Sequence, residues 1–254
     1  MRTILLTNDD GVESDGIHTL AAALAPLGRV VVCAPLGEAS AIGHALTLAR
    51  PLRLREFGPD VHAVDGTPAD CVNIAIAHVL NGTLPDLVVS GINKGWNVGD
   101  DVTYSGTVGG ALEGVLMGLP AVAVSMQRGP DYDFTHAAAA GAAVAREVLA
   151  HGLPPRVLLN VNVPQGVPSG WATTVQAART HTTNVMRRTD PWGRPYYWLD
   201  EGRVEWASRQ DTDYEAVKAG LISVTPLHAD LTAHAALERT AAIVARAWPR
   251  DQAR

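Results

Sequence analysis

Asp9 and Asp10 stand side by side in "LLTNDDGVESDGI", residues 5 to 17, directly after an apolar run and directly before a glycine. Adjacent carboxylates repel one another, and a hard divalent cation between them removes that repulsion. Mg²⁺ or Mn²⁺ prefers oxygen ligands in an octahedral arrangement, keeps several waters, and commonly joins one or two carboxylates to a substrate phosphate. The tetrapeptide "NDDG" is also an ordinary turn sequence, in which Asn8 and the acids bond local amides and Gly11 permits a sharp bend. Taken alone it reads as that turn.

Other segments alter the balance. "APLGEASAIGHALTL" places Ser40 in a loop of small residues, and "INKGWNVGDDVTYSGTVGGALEG" supplies Asn93 and Asn97 among glycines, then Ser105, Gly106 and Thr107 immediately before a helical pattern. Exposed N–H groups at a helix start, flanked by two hydroxyls, form an anion site suited to phosphate. Each piece has a plainer reading: Ser40 caps a loop, Asn93 and Asn97 hold turns, Ser105 to Thr107 cap the helix, and Asp100 and Asp101 are solvated. A shared position at the ends of predicted strands argues for one site instead. The chain has no G-x-x-x-x-G-K-[ST] phosphate loop and no G-x-G-x-x-G fingerprint. His18 and His44 lie near these segments without metal-ligand spacing, and His44 reads as support for its loop.

The elements that must position these groups are legible from periodicity. Residues 3–7 and 29–34 read as short buried strands, with a helical pattern of Ile17, Leu20, Ala21 and Leu24 between them. "TPADCVNIAIAHVL", residues 67 to 80, opens with a Thr cap and a Pro at the first helical position and leads into the strand "PDLVVSG". A helix follows over about 107–117, then a strand at 120–125, a helix over about 134–149 and a strand at 156–164. This alternation predicts an α/β fold, a doubly wound, Rossmann-like, mostly parallel sheet with its ligand site beyond the carboxyl ends of the strands.

From about 170 to 206 the character changes to an extended β-hairpin with a Pro-Trp-Gly turn and an "EG" turn. A strand at 221–227 and a closing amphipathic or buried helix over about 231–248 complete one expected domain, residues 1–254.

Composition narrows the function classes. Of 254 residues, 47% are hydrophobic and 18% charged, and no apolar run is long enough to cross a bilayer. The net charge of −6 argues against a surface for duplex nucleic acid, which needs clustered cations. "MRTILLTNDDG" lacks the pattern of a signal peptide, and Cys33 and Cys71 have no CxxC spacing and sit among apolar residues. Both features lead us to expect a cytoplasmic protein with buried thiols.

Together "LLTNDDGV", "GTPADCV", "VVSGINKGWNVGDDVTYSGTVGGALEG", "LLNVNVP", "DPWGRPYYW" and "GLISVTPL" resemble the SurE family, the survival-protein nucleotidases, in family order over nearly the whole chain. The long Asn/Gly/Ser segment discriminates best. The resemblance implies a metal-dependent acid phosphatase that hydrolyses nucleoside 5′- and 3′-monophosphates, with one divalent cation, Mg²⁺ or Mn²⁺, per subunit. Its metal ligands would fall on Asp9, Asp10, Ser40 and Asn93, and its phosphate contacts on Asn97, Ser105, Gly106 and Thr107. It further implies a homodimer or homotetramer joined through the hairpin, which would use Trp192, Tyr196, Tyr197 and Trp198. The chain departs from the family pattern at Leu36, Ala39 and Trp192, where an acid, a Gln and an Arg are usual.

The expected chemistry is attack of water in line with the leaving alkoxide. Asp9 or Asp10 fits either of two catalytic roles, general base toward water or nucleophile at phosphorus. Two rival classes would use the same residues: a nucleotide- or phosphate-sensing module without turnover, and a metal-dependent glycosyltransferase acting on a sugar nucleotide.

Overall fold

The computed structural model describes residues 1–207 and 209–247. In chain order its elements are β1 (Thr3–Thr7), α1 (Asp15–Leu24), β2 (Arg29–Pro35), β3 (Leu54–Gly58), β4 (Val61–Val64), α2 (Pro68–Ile74), β5 (Leu87–Lys94), α3 (Gly106–Leu116), β6 (Ala121–Met126), α4 (Thr135–His151), β7 (Val157–Val163), β8 (Gly170–Thr173), β9 (Arg179–Thr189), β10 (Pro195–Trp206), α5 (Asp213–Lys218), β11 (Leu221–His228) and α6 (Leu237–Ala247). Short runs of Val, Ile, Leu and Ala form the central strands because both of their faces are covered by helices, as a parallel sheet requires.

Nine strands make one sheet in the order β3-β4-β2-β1-β5-β6-β7-β11-β8. It is mostly parallel, with β3 antiparallel to β4 and β11 antiparallel to β7. One face buries Ile4, Leu6, Val89 and Val124 under residues of α1 and α4 such as Ile17, Leu20 and Ala145. The other buries Leu5, Val31, Val88 and Ala123 under residues of α2 and α3 such as Val72 and Val115.

From β1 the chain winds outward to β2 and β4, then returns to the opposite side of β1 as β5. That reversal opens a crevice at the carboxyl ends of β1 and β5, where open α/β sheets bind ligands. Register also aligns polar residues in rows near these ends: Thr7, Ser90 and Asn160 share one row, and Asn93, Ser125 and Asn162 the next.

Three expectations need correction. The hairpin is narrower than 170–206, since residues 170–173 pair with β11 at the edge of the main sheet and only β9 and β10 form the separate ribbon. Its turn lies at residues 190–194, held by Asp190, while the expected "EG" turn at 201–202 is instead a register irregularity inside β10. The closing helix, expected over 231–248, is α6 preceded by a short 3-10 turn at His234–Ala236; Trp248 lies outside the described residues. Residues of α6 are exposed all round, so it is not the buried alternative. Among the described residues no helix is long and apolar enough to cross a membrane.

Candidate active site

Asn8 shapes the turn that carries the acids. Its Nδ2 donates to the Gly11 carbonyl at 2.9 Å and its Oδ1 accepts from Gly11 N at 3.2 Å, so both ends of the amide are spent within the turn. Gly11 has φ +100°, a conformation that disfavours a side chain, and the loop after β2 passes close by: Ala39 N donates to the Asp9 carbonyl at 2.8 Å.

Asp9 and Asp10 then face a cavity of about 700 Å³ that is also lined by Ser40, Asn93, Asn97 and Ser105. Six of the eight residues expected at the site therefore meet in one place. Gly106 and Thr107 stand behind Asp9. The Thr107 hydroxyl donates to Asp9 Oδ1, and a Cβ on Gly106 would come within 2.8 Å of Asp9 Cβ. What the amino end of α3 holds is thus the Asp9 carboxylate, the sign of charge that a helix start favours.

Asp9 is only 4% exposed. Burial pushes its pKa up to about 6, with the Asp10 charge adding to the rise and the Thr107 bond opposing it. Burial also raises Asp10, against the Lys94 N–H bond at 3.2 Å and the positive charge of Lys94; Glu38 adds to the rise and Arg128 opposes it. Asn93 Nδ2 donates to the Gly95 carbonyl at 2.8 Å, which leaves its amide oxygen for another partner. Ser40 Oγ donates to Glu38 Oε1 at 2.7 Å and retains its lone pairs.

This donor set suits a hard cation. Among the described residues no group of three or more His, Cys, Asp or Glu side chains is placed to hold a metal. Two carboxylates with neutral oxygens from Asn93 and Ser40 match the preference of Mg²⁺ or Mn²⁺ for a few protein oxygens and several waters.

Asn97 sits in a buried network that the sequence does not announce. Its N–H donates to Asn162 Oδ1 at 2.7 Å, its carbonyl accepts from Asn160 Nδ2 at 2.8 Å and Asn162 Nδ2 at 3.0 Å, and its Nδ2 donates to Ser125 Oγ at 2.8 Å. Strand alternation places Asn160 and Asn162 of "NVN" on one face of β7, which is the available signal.

Comparison with known proteins decides the family. The family model described as "Survival protein SurE" matches residues 4–189. The chain belongs to the SurE family. It is 53% identical over 92% of its length to the "5'-nucleotidase SurE" of Geobacter metallireducens, covering 94% of that protein, and 44% identical over 91% to the Aquifex aeolicus protein of the same description, covering 94% of it. The crystal structure of the Aquifex aeolicus SurE protein superposes with a TM-score of 0.83 at 43% identity, covering 93% of this chain and 97% of that one.

Around this SurE site the remaining sequence candidates fall into supporting places. His44 Nε2 meets Glu113 Oε2 at 2.5 Å, and Asn73 Nδ2 donates to Glu113 Oε1 at 2.8 Å, so His44 ties the Ser40 loop to α2 and α3. The His44 bond, then the Asn73 bond, hold the Glu113 carboxyl below its usual range against burial. His18 is exposed on α1 and does not line the cavity. Asp100 and Asp101 are not simply solvated: Arg179, at the start of β9, donates its N–H to Asp100 at 3.1 Å and pairs with Asp101 through its guanidinium. Beside them Trp206 stacks on Tyr214 at 4.0 Å between centroids, and Trp96 meets Tyr214 edge-on at 5.8 Å. Glu38, Lys94 and Arg128 also line the cavity and are not among the sequence candidates: the first two sit inside segments singled out for other residues, and Arg128 lies in none.

Proposed function

We propose that this SurE protein is a divalent-metal-dependent 5′-nucleotidase that hydrolyses nucleoside 5′- and 3′-monophosphates to nucleoside and phosphate. The observation that carries this reading is the meeting of Asp9, Asp10, Asn93, Asn97 and Ser105 in one cavity at the winding reversal of the sheet. Relatives named 5′-nucleotidase at about half identity over nearly the full chain support it.

Asp9, Asp10, Ser40 and Asn93 would hold one Mg²⁺ or Mn²⁺, which supplies positive charge to the phosphoryl oxygens when bound. Asn97 and Ser105 line the cavity where the phosphate would rest, with Gly106 and Thr107 acting through Asp9. The water oxygen bonds to phosphorus as the ester P–O bond breaks, one water proton passes to a carboxylate of the Asp9–Asp10 pair, and the departing alkoxide takes up a proton. Burial raises both acids above free carboxylates in the metal-free fold, and the charge of a bound cation would oppose that rise.

Purified protein should release phosphate from AMP with Mn²⁺ or Mg²⁺, and EDTA should abolish release. Asp9→Asn should lower kcat/KM by about 100-fold or more, the usual scale for loss of an acid–base group. Full activity in Asp9→Asn would overturn the role given to the pair. Binding of AMP without turnover would indicate a sensor, and release of UDP from a UDP-sugar a glycosyltransferase.

For assembly, we infer a homodimer or homotetramer through the β9–β10 ribbon, whose Trp192, Tyr196, Tyr197 and Trp198 are exposed. For location, we infer the cytoplasm, in keeping with the reduced, buried Cys33 and Cys71.

A further inference from the structure

The phosphate contacts considered so far are neutral, yet the cavity is rich in acid. Asp9, Asp10, Glu38 and Asp101 all line it, and a phosphomonoester dianion entering there meets them all. Two cations share the wall, Lys94 at the end of β5 and Arg128 just beyond β6.

The chain makes a specific seat for the guanidinium. Arg128 Nε donates to the Lys94 carbonyl at 3.2 Å, and a Cβ at position 95 would lie 3.2 Å from that same nitrogen. Gly95 has φ +145°, where a side chain would be strained as well as crowding. One edge of the guanidinium is thus fixed by backbone. Among the described residues no ion pair involves Arg128 or Lys94. The Lys94 ammonium instead lies 5.7 Å from the centroid of the Tyr132 ring, at the edge of the same cavity. An anchored guanidinium that feels the Asp10 charge but has no carboxylate within ion-pair distance among the described residues, beside a cavity that would take a dianion, has its closer complement in the substrate.

We propose that Arg128 contacts the phosphoryl oxygens of the substrate directly, with Lys94 adding charge from the same wall. The assignment rests on the phosphomonoesterase reading above. A planar fork of N–H donors matches phosphate in a way that Asn97 and Ser105 do not. Phosphoryl transfer spreads charge over three equatorial oxygens, and a fixed cation beside them acts most strongly where that charge develops. Arg128 gives up and receives no proton; the bonds made and broken remain those of the hydrolysis.

The test compares wild type with Arg128→Ala and Arg128→Lys. Arg128→Ala should lower kcat/KM by about 100-fold, the scale of a lost donor to developing charge. The loss should be equal for AMP and for ribose 5-phosphate, because the contact is to phosphate and not to the nucleoside. The inhibition constant for inorganic phosphate should rise by about tenfold or more, as for one lost charge-assisted contact. Arg128→Lys should recover part of the activity, added guanidinium ion should restore part of it to Arg128→Ala, and Mn²⁺ affinity by calorimetry should stay within about twofold, since Arg128 is not among the proposed ligands. Unchanged phosphate inhibition, or a loss confined to AMP, would overturn the assignment. If wild type releases no phosphate from any monoester, the phosphomonoesterase reading falls. Calorimetric binding of inorganic phosphate to wild type and Arg128→Ala then still decides the anion contact.

Discussion

At the scale of single residues, the decisive quantity is the proton on Asp9. In the folded chain it leaves near pH 6, against an ordinary value of 3.8. Between those values the folded state holds a proton that the unfolded state has lost, so stability without metal declines as pH rises through that window and levels off above it. Asp9→Asn abolishes the penalty. With EDTA present, the variant should be more stable than wild type at pH 7.5 by up to about 3 kcal/mol and nearly equal to it at pH 4, as thermal melts will show. The same proton competes with the cation, so Mn²⁺ affinity of wild type should climb by about tenfold per pH unit up to about pH 6 and then flatten. Thr107→Val removes a donor to the charged form of Asp9. The acidic limb of the kcat/KM profile should move to higher pH and kcat/KM should fall by about tenfold, the worth of a hydrogen bond to a charged group. A profile unchanged from wild type would show that Thr107 only packs.

At the scale of elements, two independent braces hold the two halves of the site. His44 and Glu113 tie the Ser40 loop to α3, whereas Asn160 and Asn162 of β7 tie the Asn97 loop to the sheet. Glu113→Gln should raise the Mn²⁺ concentration needed for half-maximal activity several-fold and leave phosphate inhibition alone. Asn162→Leu should do the reverse, and should cost about 1–3 kcal/mol of stability because it strands the buried N–H of Asn97, whose carbonyl keeps the Asn160 bond. A uniform loss of both affinities in either variant would contradict the division. The first brace was partly legible in the sequence, since His44 read as loop support, but Glu113 lies 69 residues away and nothing in its segment assigns it to His44. The second was hidden for the same reason: "NVN" reads as a buried strand, and only folding brings it to Asn97. Central strands were legible because their apolar runs are unbroken. β3 was not, because its residues 54–57 are exposed and carry no alternating core pattern, and α5 was not, because its six residues span under two helical turns.

At the scale of the whole molecule, the acids, the asparagines and the cations come together because the sheet reverses its winding between β1 and β5. The β9–β10 ribbon stands outside that sheet and is the surface on which assembly should depend. Trp198→Glu, an exposed ribbon position, should lower the molar mass measured by light scattering to that of a monomer, and an unchanged mass would reject the ribbon as the interface. The root of the ribbon is also where Arg179 pairs with Asp101, and Gly99 packs so closely that a Cβ there would lie 2.7 Å from the Trp206 ring. Asp101 lines the cavity as well. A ribbon held by a neighbouring subunit would share a free energy with the loop beneath it, and such a linkage would run equally in both directions. Dilution would loosen the grip on nucleotide, and nucleotide would resist dilution.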